Sequence, residues 1–203
     1  MRITEAAKQA TRQRILETSL ERFKSNGYRE TTTKDIARRS GIASGTLFNY
    51  FPTKEAIVMT LVAESLGRAQ QDFEKNRSTE DSLLAEDLFA YIAAGLRRMK
   101  PHRKFIHPAL ESVLSPLARS DSNEEAESIR LQHLETVGQI AIDNGAIDPP
   151  STLALHLYWA LYTGVLAFWA NDSSPKQEDT LALLDQSLRM FVSWLRTDIQ
   201  SFQ

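Results

Sequence analysis

Apolar residues recur every three or four positions along almost the whole chain, which is the spacing of amphipathic helices. One stripe near the beginning contains Leu16, Leu20 and Phe23 and stops at Gly27, a residue that commonly ends helices. Another stripe lies between residues 181 and 199. No segment shows sustained alternation of apolar and polar residues flanked by turn residues, so no strand is predicted. The pattern therefore predicts an all-α protein.

Glycines, prolines and polar clusters interrupt this pattern and divide the chain into about nine helices. The predicted helices span residues 5–25, 33–40, 44–50, 54–75, 80–99, 104–115, 123–144, 151–170 and 177–200. Three short helices precede longer ones. We therefore expect two domains, a small N-terminal domain at residues 1–55 and a larger C-terminal helical bundle at residues 56–203.

The stretch from residue 31 to residue 51 predicts two short helices joined by a tight turn. Thr32 is a favourable N-cap, and Asp35 stands where a capping box places its acidic residue. Gly41 can adopt the positive φ that the turn needs, and Leu47 supplies an apolar plug. Helices this short are not stable alone, so they must pack on each other and on the first helix. The spacing is typical of a helix-turn-helix, whose second helix enters the major groove of DNA.

The second of these short helices, residues 44–50, is poor in large side chains on one face. We expect that face to lie against DNA, where Ser and Thr bond bases or phosphates and Asn reads adenine. Leu47 and Phe51 are expected to pack inward, and Lys54 to meet a phosphate at the start of the next helix. The predicted DNA-contacting residues are Thr32, Thr33, Ser44, Gly45, Thr46, Asn49, Tyr50 and Lys54.

The motifs in this region resemble those of one known family. They are Gly27-Tyr28, Thr31-Thr32, Asp35-Ile36-Ala37, Gly41, Gly45-Thr46-Leu47, Tyr50-Phe51 and Thr53-Lys54-Glu55. With them, residues 12–58 resemble the DNA-binding domain of the TetR family of bacterial transcriptional regulators. The resemblance implies a homodimer that places two helix-turn-helix domains on a palindromic double-stranded DNA operator. It also implies a ligand-binding helical body and repression that a small molecule relieves.

Three residues depart from the family pattern. Ala43 stands where many members have a capping Ser, and Ser44 stands where many have a Lys. Phe48 replaces a Tyr that commonly bonds a phosphate, so the ring is kept and the hydroxyl is lost. With one positive charge fewer, we expect weaker non-specific DNA affinity than in a relative that carries the Lys.

The larger domain contains an aromatic stretch at residues 155–172. A helix that is apolar on most sides is buried all round. We expect one side to line a pocket for a small hydrophobic effector and another to pack on a second subunit. The helices at 151–170 and 177–200 would form that dimer interface. The expected pocket residues are Phe89, Tyr91, His102, Phe105, His107, Tyr158, Trp159 and Tyr162. An ordinary aromatic core is the alternative interpretation.

Charge supports a nucleic-acid partner for the first domain. The net charge of -2 divides into 11 Lys/Arg against 6 Asp/Glu in residues 1–55, and 13 against 20 in the remainder. A basic front segment suits a polyanion. The chain has no cysteine, which is compatible with a reducing cytoplasm. It has no run of 18 apolar residues, so we expect a cytoplasmic protein without a membrane span.

Other chemistry finds little support in the sequence. Zinc needs three or four convergent ligands. The closely spaced His102 and His107 have no acidic residue near them in the sequence until Glu111. We therefore expect no metal and no cofactor. GxSxG, P-loop and HExxH motifs are absent from the sequence, so an enzyme is not expected.

The sequence thus predicts a ligand-responsive DNA-binding regulator, with repression as the simplest mode of action. Two alternatives stay open at this point: a DNA-binding protein whose body only dimerises, and a helical enzyme. Activation also stays open, because the sign of regulation depends on where the operator lies relative to the promoter.

Overall fold

The computed structural model describes residues 4–77, 82–106, 124–146 and 148–201. These ranges contain eight α-helices and no strand, which confirms the all-α prediction. The helices are α1 (Glu5–Asn26), α2 (Thr33–Arg39), α3 (Ser44–Tyr50), α4 (Lys54–Asn76), α5 (Leu84–Met99), α6 (Glu124–Asp143), α7 (Thr152–Asn171) and α8 (Glu178–Ser201). Short 3-10 turns occupy Lys100–His102 and Pro175–Gln177. Of the helix predicted at 104–115, residues 107–115 lie outside the described ranges.

The chain forms two compact units. The first consists of Met1–Ser65 and Met99–Glu127, and the second of Leu66–Arg98 and Ser128–Gln203. Helix α4 therefore contributes residues to both. The N-terminal helix-turn-helix is contained within the first unit.

The core of the first unit includes apolar side chains from α1, from both short helices and from the residue that follows α3. Each is almost completely buried, and burial of a large apolar side chain stabilises the fold by about 1.5–3 kcal/mol. The core includes Ile15, Leu16, Phe23, Ile36, Leu47 and Phe51. The inward packing predicted for Leu47 and Phe51 is confirmed.

Local signals define the ends of α1 and α2 as the sequence predicted. Gly27 ends α1 with a φ of 86°, and Gly41 turns the chain after α2 with a φ of 68°. Thr32 caps α2, because its hydroxyl oxygen accepts a hydrogen bond of 3.1 Å from the Asp35 N–H. The Asp35 carboxylate, which a capping box would direct back to Thr32, accepts hydrogen bonds from Arg22 (2.8 Å) and Arg38 (2.6 Å).

In the second unit, an ion-pair network ties α5 and the end of α6 to the residue that follows α4. Arg77 donates to the buried Asp87 at 2.7 Å and also pairs with Asp143. Asn144 donates a further hydrogen bond of 2.9 Å to Asp87. The buried carboxylate is thus held by one cation and one amide.

Helix α7 is the one helix of the described residues that is long and apolar enough to span a membrane by length and composition. Its Tyr158 and Trp169 are each only 1% exposed, packed inside the second unit. A core helix passes the same test, and we interpret α7 as one.

Candidate functional site

Helix α3 exposes one face of the helix-turn-helix. Ser44, Gly45, Phe48 and Asn49 are exposed, whereas Leu47 is completely buried. Ser44 and Phe48 are four positions apart, as are Gly45 and Asn49, so the four form two adjacent rows on the exposed side of α3, which we call the α3 face. Three of the predicted DNA contacts, Ser44, Gly45 and Asn49, therefore lie together.

The two other contacts predicted on α3 lie at the border of this surface. Thr46 and Tyr50 are half-buried. Sequence reasoning missed Phe48 as a member of the α3 face, although it is 48% exposed. The available signal was its position four residues after Ser44.

Gly45 is not required to be a glycine by any neighbour among the described residues. A Cβ added to it would meet nothing within 4 Å, and its backbone does not occupy the left-handed region. A helical glycine is less stable than alanine by roughly 0.5–1 kcal/mol. The described residues therefore give no packing reason for a glycine at this position.

Helix α3 itself carries no charged residue, whereas arginines of α1 and α2 gather around Asp35 of α2. Arg22, Arg38 and Arg39 surround Asp35, at 2.8, 2.6 and 3.5 Å respectively. The hydrogen bond from Arg38 is the largest cause that lowers the pKa of Asp35. Three guanidinium groups against one carboxylate leave an excess of positive charge.

The two threonines predicted as DNA contacts lie at the beginning of α2. Thr32 is exposed, and because its oxygen accepts the capping hydrogen bond, its O–H is left to donate outward. Thr33 is half-buried. A hydroxyl at a helix N-terminus is suited to a phosphate oxygen.

Lys54 is engaged inside the first unit. Its ammonium donates to the carbonyl oxygens of Tyr28 (2.8 Å) and Thr31 (3.1 Å) and lies 4.1 Å from the centre of the Tyr28 ring. Burial lowers the pKa of Lys54. The Tyr28 hydroxyl in turn donates to Glu55 at 2.6 Å. Two of the three ammonium N–H groups of Lys54 are thus used inside the protein, and a phosphate would accept a hydrogen bond from the third.

A cluster of hydrogen-bonded aromatic rings lies inside the second unit, centred on His133. The two ring nitrogens of His133 lie 3.2 Å from the Tyr91 hydroxyl and 2.8 Å from the Tyr158 hydroxyl. Tyr162 stacks on the imidazole with ring centres 4.3 Å apart, and Trp159 meets it edge-on at 5.9 Å. The structure thus brings together four of the predicted pocket residues.

His133 is the member of this cluster that the pocket prediction missed. Burial lowers the pKa of His133 to about 3 and raises that of Tyr91 to about 12, so both are neutral near pH 7. A neutral imidazole accepts one hydrogen bond and donates one, which matches its two tyrosine partners. No group of three or more metal-ligating side chains occurs among the described residues.

The remaining predicted pocket residues lie elsewhere. Phe89 is half-buried on α5. His102 and Phe105 belong to the first unit, where the Phe105 ring packs 5.3 Å from that of Phe23. His107 lies outside the described residues.

A groove that the sequence did not indicate runs between α4 and α6, with a volume of about 340 Å³. Its walls are mainly amide and carboxylate side chains, with Phe73 and Ile140 as the apolar part. The residues that line this groove all belong to the second unit.

Comparison with protein families gives two matches. Residues 15–60 match the N-terminal model of the bacterial regulatory proteins of the tetR family. Residues 88–201, more than half of the chain, match the tetracyclin repressor-like C-terminal domain. The first match includes the helix-turn-helix, and the second begins within α5 and includes α6 through α8.

Proteins that are similar in sequence are also named as regulators. A fatty acid metabolism regulator protein of Bacillus subtilis is 30% identical over 73 residues, which are 34% of this chain and 38% of that protein. The uncharacterised HTH-type transcriptional regulator YhgD of the same organism is 24% identical over 171 residues, covering 83% of this chain and 88% of the relative.

Solved structures share the fold. A TetR regulator from Rhodococcus sp. RHA1 aligns with a TM-score of 0.71 at 19% identity, covering 91% of this chain and 97% of that one. Thermus thermophilus FadR, a TetR family repressor in complex with lauroyl-CoA, aligns with a TM-score of 0.66 at 22% identity, covering 89% and 93%. These relatives are regulators of transcription and not enzymes. From the two family matches and the helix-turn-helix geometry, we conclude that the chain belongs to the TetR family of bacterial transcriptional regulators.

Proposed function

We propose that this protein is a ligand-responsive repressor that binds a palindromic DNA operator as a homodimer. Regulators of this family bind operators as dimers and bind small-molecule ligands. The observation that carries the proposal is the α3 face, where Ser44, Gly45 and Asn49 stand exposed over the buried Leu47. A helix that only stabilised a core would not combine an open glycine with exposed hydrogen-bonding groups at this position.

Within the proposal, the predicted contacts divide into base-reading and phosphate-binding residues. Asn49 and Thr46 would read base edges, while Lys54, Thr32 and Tyr50 would hold phosphates. Base contacts set sequence preference, whereas phosphate contacts add affinity on every sequence. The functional division into residues 1–55 for DNA and 56–203 for effector and partner follows from this assignment.

Titration of fluorescent duplexes at several salt concentrations separates these roles. Asn49→Ala is expected to change the preferred base at one position by about 1–3 kcal/mol. Lys54→Ala is expected to weaken binding to all duplexes and lower the salt slope by about one. Equal losses on every duplex for both variants would contradict the assignment. An unchanged salt slope for Lys54→Ala would show that Lys54 does not bind a phosphate and serves only its contacts with Tyr28 and Thr31.

The dimer is proposed to form through α7 and α8, the helices predicted at 151–170 and 177–200. On α7, Leu153 (68% exposed), Leu157 (38%) and Phe168 (44%) leave an apolar stripe uncovered. On α8, Met190 is 60% exposed. A four-helix interface between two copies would bury these side chains.

Sedimentation equilibrium of dilute protein tests this interface. We expect a dimer for the wild type and a shift towards monomer for Leu157→Asp, which places a charge in the proposed contact. Leu131→Asp is the matched control, since Leu131 is 54% exposed on α6. A wild type that is monomeric, or two variants that behave alike, would contradict the proposed interface.

The effector is proposed to be a small hydrophobic molecule that inserts beside the His133 cluster. Tyr158, Trp159, Tyr162 and Tyr91 supply aromatic surface there, and polar groups in a mostly apolar pocket fix a ligand's orientation. Phe73 of α4 packs on Tyr91 with ring centres 5.5 Å apart. Because α4 begins directly after the helix-turn-helix, a displacement of Tyr91 by a ligand would be transmitted through Phe73 and α4 towards α3.

Lauroyl-CoA, the ligand of the Thermus thermophilus relative, is the first probe. We expect a ligand of this kind to lower operator affinity of the full-length protein, and Tyr158→Phe to change the concentration required. Native mass spectrometry of the purified dimer would detect a copurified molecule. Unchanged operator affinity across hydrophobic probes, with no copurified molecule, would favour the effector-independent alternative. We place the protein in the cytoplasm, where its operator is.

A further inference from the structure

Phe48 is the one large apolar side chain on the α3 face. Its 48% exposure contrasts with 0% for Leu47 and 2% for Phe51, the apolar neighbours that build the core. An isolated exposed apolar residue needs no explanation on most surfaces. Here it lies between Ser44 and Asn49, on the surface that the proposed function directs to base edges.

The chemistry of Phe48 excludes the usual polar contacts with DNA. Its ring has no hydroxyl to donate to a phosphate and no group to bond a base edge. In the major groove, the base edges present hydrogen-bond donors and acceptors and one apolar group, the 5-methyl of thymine. An apolar ring on the reading surface is complementary to that methyl group alone.

Gly45 gives this contact the room it needs. It precedes Phe48 by three residues, close to one turn of the helix, and a Cβ at Gly45 would point into open space. Without a side chain there, the α3 backbone can come nearer to the base edges. A closer approach of the backbone would bring the ring of Phe48 nearer to the base edges.

We propose that Phe48 is a specificity-determining residue that recognises thymine by packing its ring against the 5-methyl group. This inference rests on the proposed function as a DNA-binding regulator. It assigns an operator preference for thymine at one or two positions in each half-site. It also assigns a different role to Phe48 from the phosphate contact of the tyrosine that it replaces.

Deoxyuridine provides the test, because it keeps every hydrogen-bonding group of thymine and lacks only the methyl. The full-length protein is first used to select its preferred duplex from a random library. Each thymine of that duplex is then replaced singly by deoxyuridine, and affinity is measured by fluorescence anisotropy. At the contacted positions we expect a loss of about fourfold, the equivalent of one buried methyl group.

Variants link this loss to Phe48. Phe48→Ala is expected to bind thymine and deoxyuridine duplexes equally, and Phe48→Tyr, which keeps the ring, to retain the discrimination. Leu131→Ala, an exposed apolar residue on α6, is the control and is expected to discriminate as the wild type does. Urea unfolding of each variant confirms that it is folded.

The outcomes separate this inference from the proposed function. Sequence-specific binding without any deoxyuridine effect would overturn the thymine contact and leave the regulator intact. The same holds if Phe48→Ala keeps the full deoxyuridine effect, as it would if Phe48 met a protein partner. Failure to select any preferred duplex would overturn the proposed function and the inference together.

Discussion

Replacement of Gly45 by alanine should make the protein more stable and a weaker DNA binder. Inside the chain, the added methyl meets nothing within 4 Å, and the glycine backbone is not left-handed. Alanine at such a site gains helix propensity and reduces the entropy of the unfolded chain, by roughly 0.5–1 kcal/mol. On the α3 face, the same methyl lies where DNA must approach. We expect operator affinity to fall about tenfold, which is about 1.4 kcal/mol.

Two other glycines calibrate the stability change. Gly67 in α4 also has open space around an added Cβ, so Gly67→Ala should stabilise the protein by a similar amount without loss of operator affinity. Gly41 has a φ of 68°, a conformation that costs an L-residue roughly 1–2 kcal/mol. Gly41→Ala should therefore destabilise.

Urea unfolding at fixed protein concentration and fluorescence anisotropy with the selected duplex measure the two quantities. A stabilised Gly45→Ala variant with unchanged affinity would refute the close approach of DNA to α3. A destabilised variant would show that Gly45 serves the fold.

The remaining predictions concern the second unit. Burial lowers the pKa of His133 to about 3, below its usual 6.5. Between these two pH values the unfolded chain binds more protons than the folded chain, so the free energy of unfolding decreases as the pH is lowered. Urea unfolding should show a loss of about 2 kcal/mol in the free energy of unfolding from pH 7.5 to pH 5.0. His133→Gln should abolish this loss, whereas His156→Gln, at an exposed site, should keep it. Parallel pH profiles for the two variants would contradict this. Arg77→Met leaves the buried Asp87 without its cation and should destabilise by about 2–3 kcal/mol, whereas Arg98→Met, at an exposed pair, should change little. Similar urea midpoints for these two variants would argue against the buried network.

Helix positions and their ends were predictable because the signals are local. Thr32 caps α2, and Thr53 caps α4 through a 3.0 Å hydrogen bond from the Ala56 N–H. Gly27 and Gly41 adopt the positive φ that a turn requires. Each of these effects acts within four residues of the chain, so composition and spacing are sufficient to find it.

Contacts between distant residues could not be found in this way. His133 meets Tyr91 and Tyr158, which are 42 and 25 positions away, and neither partner is marked by a motif. Arg77 follows α4 in a stretch that the pattern marks only as a break, yet its partner Asp143 is 66 residues distant. Such pairs depend on how the helices pack, which hydrophobic periodicity does not specify.

Phe48 and Lys54 show the limit of motif reasoning at the site itself. Phe51 was predicted to pack inward and is buried, whereas Phe48 was left out of the predicted DNA contacts although it is exposed on the α3 face. Lys54 was expected at a phosphate, and its ammonium donates to the carbonyls of Tyr28 and Thr31. The phosphate contact of Lys54 stays a prediction, and the sequence did not indicate these two carbonyl partners.

The central claim, that the α3 face reads base pairs, is tested most directly by one ratio of affinities. The full-length protein is titrated against its selected duplex and against a duplex of equal length and base composition in scrambled order, at about 0.15 M salt. We predict that the selected duplex binds at least about 10³-fold more tightly, and that Asn49→Ala reduces this ratio. Equal affinity for the two duplexes, falling together as salt is raised, would show that the protein holds only the phosphate backbone and would contradict the account.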